Sequence, residues 1–544
     1  MTVHAHSRGP LGTWRGEPDV LHTDPAAIAD LLDRVHRPLY AVQTADGVAV
    51  TDAGQAQFGD APGGQGLRGV VPAVALEHLG DPSFARDHGA RFTVVGGAMA
   101  GGIASVEMVE AMAKAGMLAF YGAAGLDLST VEGALVRLST NLLDRPWGSN
   151  LIHSPYEPAL ERAVVDLYLR HGVRTVSASA YLDLTLPLLR YRYAGIHRDD
   201  SGTVVAPNRV VAKISRAEVA QKFLQPPSAA WLRKLVESSG LTAAEAELAA
   251  TLPVATDMTV EADSGGHTDN RPALTLLPSM LALRSRIAQS VPAAANIRMG
   301  AAGGIGTPHA AAAAYAMGAA YIVTGTINQA CVESGTSDVV RARLAEASDA
   351  DVTMAPAADM FEMGVELQVL RRGTLFPMRA RKLWELYRAH DRLEDIGAKD
   401  RTMLERTVFQ KPLAQVWADT EAFWAERDPT QVTRAQADAK HKMALCFRAY
   451  LGQASRWANA GLAGREPDYQ VWCGPAIGGF NAWTAGTAFE QPGNRRVVSI
   501  NLNLLHGAAV LARVAALRAQ GVHVDAAALA LAPRPLAQLE ELCL

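Results

Sequence analysis

At 544 residues the chain is longer than one ordinary core requires, so a large domain with one or two appended units is expected. Hydrophobic residues at 49% and charged residues at 19% exclude global disorder, and a net charge of −4 argues against nucleic acid as the main partner. Cys331, Cys446, Cys473 and Cys543 lie far apart with no CxxC pair, which excludes a zinc knuckle or a disulfide framework and fits a reducing cytoplasm; no metal site is read. The first residues hold no apolar core of the secretory kind. The longest apolar run, residues 310–323, contains a glycine and is too short to span a bilayer, so no membrane segment is expected.

Residues 1–35 are polar, with a short helix, DPAAIADLLDRV, starting at an Asp24 cap. LYAVQTADGVAVT follows, two alternating runs around Asp46-Gly47 that spell a hairpin. Residues 1–85 thus read as an N-terminal arm and hairpin cap. From about residue 90 short apolar runs end in Gly, Ser or Asn and lead into alanine-rich helical stretches. The runs are 92–102, 117–126, 147–154, 173–182, 209–215, 253–268, 294–308 and 319–330. Eight strands in βα alternation point to an α/β fold, a (β/α)8 TIM barrel over residues 86–335 with helices outside. The competing open doubly wound sheet lacks its G-x-G-x-x-G after the first strand.

Residues 222–252, after Pro226-Pro227, read as two inserted helices that form a lid. Residues 336–460 read as a mainly helical domain without strands, and residues 461–544 as a loop and a long helix that packs back on the barrel.

In such a barrel, chemistry sits at the carboxyl ends of the strands. VEADSGGHTDNRP, residues 260–272, gathers His267, which titrates near neutral pH, the glycines Gly265 and Gly266, and the carboxylates Glu261, Asp263 and Asp269. The alternative is a polar loop with a solvated histidine. GGIGTP followed by VTGTIN places backbone amides at two neighbouring helix starts, so Gly303, Gly304, Gly325 and Thr326 are candidates to grip a phosphate. Lys213 ends an apolar strand and points its ammonium into the mouth, where it stabilises a developing negative charge; the alternative is snorkelling to solvent or pairing with Glu261 or Asp263. Asn150 is a candidate to hydrogen-bond a ring edge, or a satisfied strand-end asparagine. Gly97, Ala98 and Met99 close the first strand, and the small residues of loop 99–102 permit close approach to a flat ring. The cations Arg371, Arg372, Arg379, Arg381 and Lys382, beside Met354, Met360, Met363 and Met378, read either as a solvated face over core or as a rim for an acidic carrier.

With these motifs in place, the chain resembles the trans-acting enoyl reductases of polyketide and polyunsaturated fatty acid synthases, within a flavin barrel group that includes the nitronate monooxygenases. VEADSGGHTDNRP, IRMGAAGGIGTP, VTGTINQACVESGTSD, DVTMAPAADMFEMGVELQVLRRGTLFPMRA, KHKMALCFRAYLGQASRWANAG and DYQVWCGPAIGGFNAW carry the likeness over roughly residues 35–520. Residues 477–479 and the tail after Gly521 depart from the family's run. The resemblance implies FMN, NADPH as reductant, and an enoyl thioester on an acyl carrier protein of a synthase module as substrate, with a homodimer as one assembly. It implies His267 beside the flavin, Gly303, Gly304, Gly325 and Thr326 on its phosphate, and Met99, Asn150 and Lys213 near the ring. Two other functions compete: a nitronate monooxygenase-like oxidase, and a non-catalytic synthase scaffold.

Overall fold

The computed structural model describes residues 4–5, 9–59, 63–155, 157–524, 529 and 531–543; the outermost N-terminal arm and part of the tail after Gly521 lie outside the described residues. Its centre is a closed barrel of eight parallel strands: β1 Val94–Gly96, β2 Leu118–Tyr121, β3 Trp147–Ile152, β4 Thr175–Ser179, β5 Arg209–Ile214, β6 Asp257–Glu261, β7 Arg298–Ala302 and β8 Ile322–Thr324. Each expected run holds one barrel strand. Neighbours follow chain order, and β8 returns to β1 with Val323 opposite Val95.

Strand alternation sorts the side chains. Val94, Val176, Val210, Met258 and Ile322 join the large core under the helices, while Val95, Phe120, Val211 and Tyr321 fill the interior. Around the barrel stand α1 Val106–Lys114, α2 Leu128–Leu142, α3 Pro158–Arg170, α4 Leu186–Tyr193, α5 Ala217–Phe223, α6 Ala273–Ala288, α7 Pro308–Ala316 and α8 Val497–Ala519. The helix expected to pack back from the C-terminus is the barrel's own eighth. It lies against α7 and α1, and its Asn501 accepts from the Thr324 hydroxyl at 2.9 Å and donates to Asn328 at 2.9 Å. Only the four-residue helix Thr326–Gln329 follows β8 directly, so residues 330–496 are inserted between β8 and α8. α8 is long and apolar enough to cross a membrane, yet 78% of its apolar window is buried in the protein, as in a core helix.

The amino-terminal end of the barrel is plugged. Phe84 of helix Pro82–His88 stacks on Tyr321 with ring centroids 4.2 Å apart. Beside it, buried Asp257 is paired with His88 Nε2 at 2.8 Å and Arg298 Nε at 2.5 Å. A five-stranded antiparallel sheet lies at the same end, held through Gln520 to both backbone groups of Val70. Its Asp46-Gly47 hairpin forms as expected, with Thr44 opposite Gly47. The strand Gly12–Arg15, within the stretch expected to be a polar arm, lies inside this sheet because Trp14 is buried there.

Two expectations are corrected. The inserted helices Ala229–Glu237 and Ala243–Ala249 do form, but they pack on α4, and the chain leaves them along hydrogen bonds from Val254 to Gln225 and from Ala255 to Phe223. That is the start of β6, the end of the barrel away from the strand carboxyl ends, so they are no lid over the mouth. The region expected to be mainly helical and without strands contains Val352–Pro356 and Glu366–Leu370, which form an antiparallel sheet with Gly266–His267. Helices Phe376–Ala389, Leu413–Arg427, Pro429–Ala437 and Ala439–Ala460 complete this unit around Phe361, Phe376, Phe409, Phe447 and Tyr450.

Candidate active site

The strand pleat turns Asn150, Lys213 and Glu261 into the barrel mouth. Lys213 Nζ lies 2.8 Å from Glu261 Oε1, and the Ser264 hydroxyl donates to the same oxygen at 2.9 Å. Of the partners expected for Lys213, the structure shows Glu261. The side chains keep 26% and 13% of their surface, so the pair is reachable from solvent. Asn150 is buried, and its amide donates to the Ser177 carbonyl at 3.3 Å and the Ser179 hydroxyl at 3.1 Å, as a satisfied strand-end asparagine does.

The GGH loop owes its shape to its glycines. A Cβ on Gly265 would sit 2.8 Å from the Cys473 backbone, whereas Gly266, at φ +80°, faces open space. His267 then pairs with Leu367 of the appended sheet, and its Nε2 meets Asp359 Oδ1 at 3.1 Å. Burial opposes charge on this imidazole, but the hydrogen bond and charge of Asp359 outweigh it and hold the pKa above its usual value. Lys213 pushes it the other way and Glu261 supports Asp359. The other carboxylates expected around the histidine have partners of their own. Asp263 accepts from Gln368 at 2.8 Å and Asn270 at 2.9 Å. Asp269 accepts from Ser215 at 2.6 Å and Arg216 at 2.8 Å, the guanidinium holding its carboxyl below the ordinary range.

Asp359 is the residue that sequence reasoning missed. It lies ninety-odd positions away on the turn of a hairpin expected to be helix. The signal that could have found it is the pair of short apolar runs VTMAP and ELQVL, which flank a turn rather than continue a helix.

The loops after β7 and β8 lie side by side, as Ala302 pairs with Val323. Gly303 has φ +84°, and a Cβ there would lie 2.6 Å from the Ala262 backbone; Gly304 has φ +75° with nothing within 4 Å. Gly325 is likewise open on that side. Among the described residues, the amides of Gly303, Gly304, Ile305, Gly306, Gly325 and Thr326 donate to no protein oxygen. Backbone donors left unpaired in two adjoining loops form a cradle suited to an anion. Segment 472–476 joins these loops to the GGH loop: Cys473 backs Gly265, the Gly474 amide donates to the Thr326 hydroxyl at 3.2 Å, and Ala476 lies against Gly306.

At the end of β1, the neighbour of β8 across the closure of the barrel, the Gly97 amide donates to the Thr324 carbonyl at 2.9 Å, and a Cβ on Gly97 would crowd Val323 at 3.0 Å. Ala98 packs half-buried beside the interior cluster, and the Met99 carbonyl accepts from Ala104 at 3.1 Å. The appended unit reaches this loop through Asn459, which donates to the Gly101 carbonyl at 3.3 Å. It also meets the loop after β3 through Arg427 and Glu157 at 2.7 Å. Together with segment 472–476 it thus covers the mouth as a roof from the loops after β1, β3, β6, β7 and β8.

The cationic run is mixed: Arg371, Arg372 and Arg381 are exposed, whereas Arg379 and Lys382 are half-buried. Arg379 is paired with buried Asp468, Lys382 with Asp400 at 3.1 Å, and Arg381 donates to the Met354 carbonyl at 3.1 Å.

Comparison with known proteins follows the same divisions. A family model described as nitronate monooxygenase matches residues 88–383, one described as the N-terminal domain of the fatty acid synthase protein PfaD matches residues 14–72, and one described as the inserted helical domain of [acyl-carrier-protein] S-malonyltransferase matches residues 390–469. One of the polyunsaturated fatty acid synthase polypeptides of Thraustochytrium sp. is 48% identical over 456 residues, 82% of this chain and 30% of that protein. Polyketide biosynthesis protein PksE of Bacillus subtilis is 42% identical over 445 residues, 82% of this chain and 58% of that protein. The chain therefore spans less than two thirds of either relative. The crystal structure of the enoyl reductase domain of MlnA, from the macrolactin biosynthesis cluster of Bacillus amyloliquefaciens, is similar at a TM-score of 0.77 and 38% identity, covering 80% of this chain and 98% of that one.

Proposed function

The chain belongs to the trans-acting enoyl reductase family of polyketide and polyunsaturated fatty acid synthases, within the nitronate monooxygenase-like barrel group, and from that membership we propose that it reduces the α,β-double bond of an enoyl thioester on an acyl carrier protein, with FMN as cofactor and NADPH as reductant. One observation carries this reading: the unpaired amides after β7 and β8 and the imidazole after β6 open on the same mouth, on neighbouring strands.

The residues present fit the cofactor. The amides of residues 303–306, 325 and 326 form a phosphate grip, with space beside Gly304 and Gly325 where a side chain would intrude. Gly97, Ala98, Met99 and Asn150 border the room for a flat ring, and the Lys213–Glu261 pair offers an ammonium for charge developing on it. FMN, when bound, supplies hydride transfer between NADPH and the β-carbon of the enoyl group.

His267 supplies the proton. With Nε2 committed to Asp359, Nδ1 is the atom left to face substrate, and the raised pKa favours the cation that carries N–H at both positions. That Nδ1–H either protonates the α-carbon or hydrogen-bonds the thioester carbonyl. Synthase modules that load the carrier are the partners this reading requires.

Purified protein is expected to be yellow and to retain FMN; colourless protein that takes up no added FMN contradicts the cofactor. The nitronate monooxygenase-like alternative predicts oxygen consumption with an alkyl nitronate in the absence of NADPH. The roof disfavours it, because its helices match a module from a carrier-protein enzyme.

A further inference from the structure

We propose that Asp359, on the turn of the appended hairpin, is the positioning residue for His267: it fixes the imidazole through Nε2 so that Nδ1 faces the substrate, and it makes the proton-bearing group of the barrel depend on the roof. The inference rests on the proposed role of His267 and extends it to a residue outside the barrel.

Three geometric observations support it. The carboxylate lies 3.1 Å from Nε2. The backbone that carries it is registered to the histidine, since Glu366–Leu370 pairs with Gly266–His267 on one edge and with Val352–Pro356 on the other. The register is pinned by a side chain: Gln368, 5% exposed, donates to Asp263 and to the Ser264 carbonyl, both at 2.8 Å. A buried amide with both bonds to one loop resists slippage, because either bond broken in the interior costs more than it would in water.

The charges facing the pair favour the same arrangement. Lys213 lies on the barrel side of His267, but its charge is met by Glu261 at 2.8 Å, which leaves Asp359 as the carboxylate hydrogen-bonded to the imidazole. Burial opposes charge on Asp359, but the hydrogen bond and charge of His267 hold its carboxyl below the usual value, with a smaller contribution from Arg448 of helix Ala439–Ala460, which is itself bonded to Glu362 at 3.1 Å. Asp359 thus stays ionised while His267 takes a proton. The Asp359 side chain is 51% exposed. The appended unit also supplies Asn459 and Arg427 to neighbouring loops, so a barrel without its roof would present an imidazole free to turn.

The test compares Asp359→Asn and Asp359→Glu with the wild-type holoenzyme, reading kcat/KM for a carrier-bound crotonyl thioester against pH, with FMN content measured in each sample. Since His267 acts protonated, activity falls as pH rises through its folded pKa. Asp359→Asn should load FMN fully and move that basic limb to lower pH by about one unit or more, and Asp359→Glu should bring it back toward wild type. NMR titration of His267 should show the same displacement without reference to turnover. Superimposable limbs and titrations in wild type and Asp359→Asn would overturn the role of Asp359. Unchanged turnover in His267→Ala would instead remove the histidine, and with it the reading on which the inference rests.

Discussion

His267 keeps 33% of its side-chain surface while hydrogen-bonded to a carboxylate, the combination a proton donor needs: reachable, yet fixed. His267→Ala should keep FMN and lower thioester reduction by about 10²–10⁴-fold, the usual contribution of general acid catalysis; stopped-flow absorbance separates flavin reduction by NADPH, expected to persist, from reoxidation by the enoyl group, expected to fail. The pair also affects stability. A histidine whose folded pKa is raised contributes stability in full below its unfolded value, about 6.5, and loses it as pH rises through the folded value. The glycine before it is as demanding. Gly265→Ala places a methyl 2.8 Å from a backbone that cannot yield, which should cost about 1–3 kcal/mol in a thermal melt and weaken FMN retention by shifting the loop.

At the scale of elements, the barrel was legible in the sequence because parallel strands buried on both faces read as unbroken apolar runs, each followed by a helix. All eight ranges hold a strand, and the glycines at the ends of β7 and β8 mark loops that do lie side by side. Two elements were not legible. VTMAP and ELQVL are short and carry Met, Gln and Pro, so only the turn between them sets the pair apart from the helices that follow; they pair with each other, and the contact of ELQVL with Gly266–His267 that completes the sheet spans about a hundred residues. Helix α8 shows an apolar pattern but nothing that names its neighbours. Asn501→Leu tests its place. Removing both bonds leaves the Thr324 hydroxyl and Asn328 amide short of partners in the core, and should cost about 2–4 kcal/mol, read as a lowered melting temperature with FMN bound.

For the whole molecule, the two ends of the barrel hold different chemistry. The plugged end buries Asp257 between His88 and Arg298; burial would raise its carboxyl, but the His88 imidazole first and the Arg298 guanidinium second outweigh it. Its contribution is present above the ordinary carboxylate value, about 3.9, and is lost as pH falls through the lowered folded value. Arg298→Met should destabilise the protein by about 3–5 kcal/mol without altering the pH profile of turnover, since the plug lies beneath the mouth. The open end gathers the imidazole, the Lys213–Glu261 pair and the amide cradle under a roof inserted between β8 and α8. Mass spectrometry of a carrier-bound crotonyl thioester incubated with FMN-loaded protein and NADPH tests this arrangement most directly. A gain of two hydrogens on the acyl group, abolished by His267→Ala, is the predicted result; an unchanged acyl mass with fully flavin-loaded protein would contradict it.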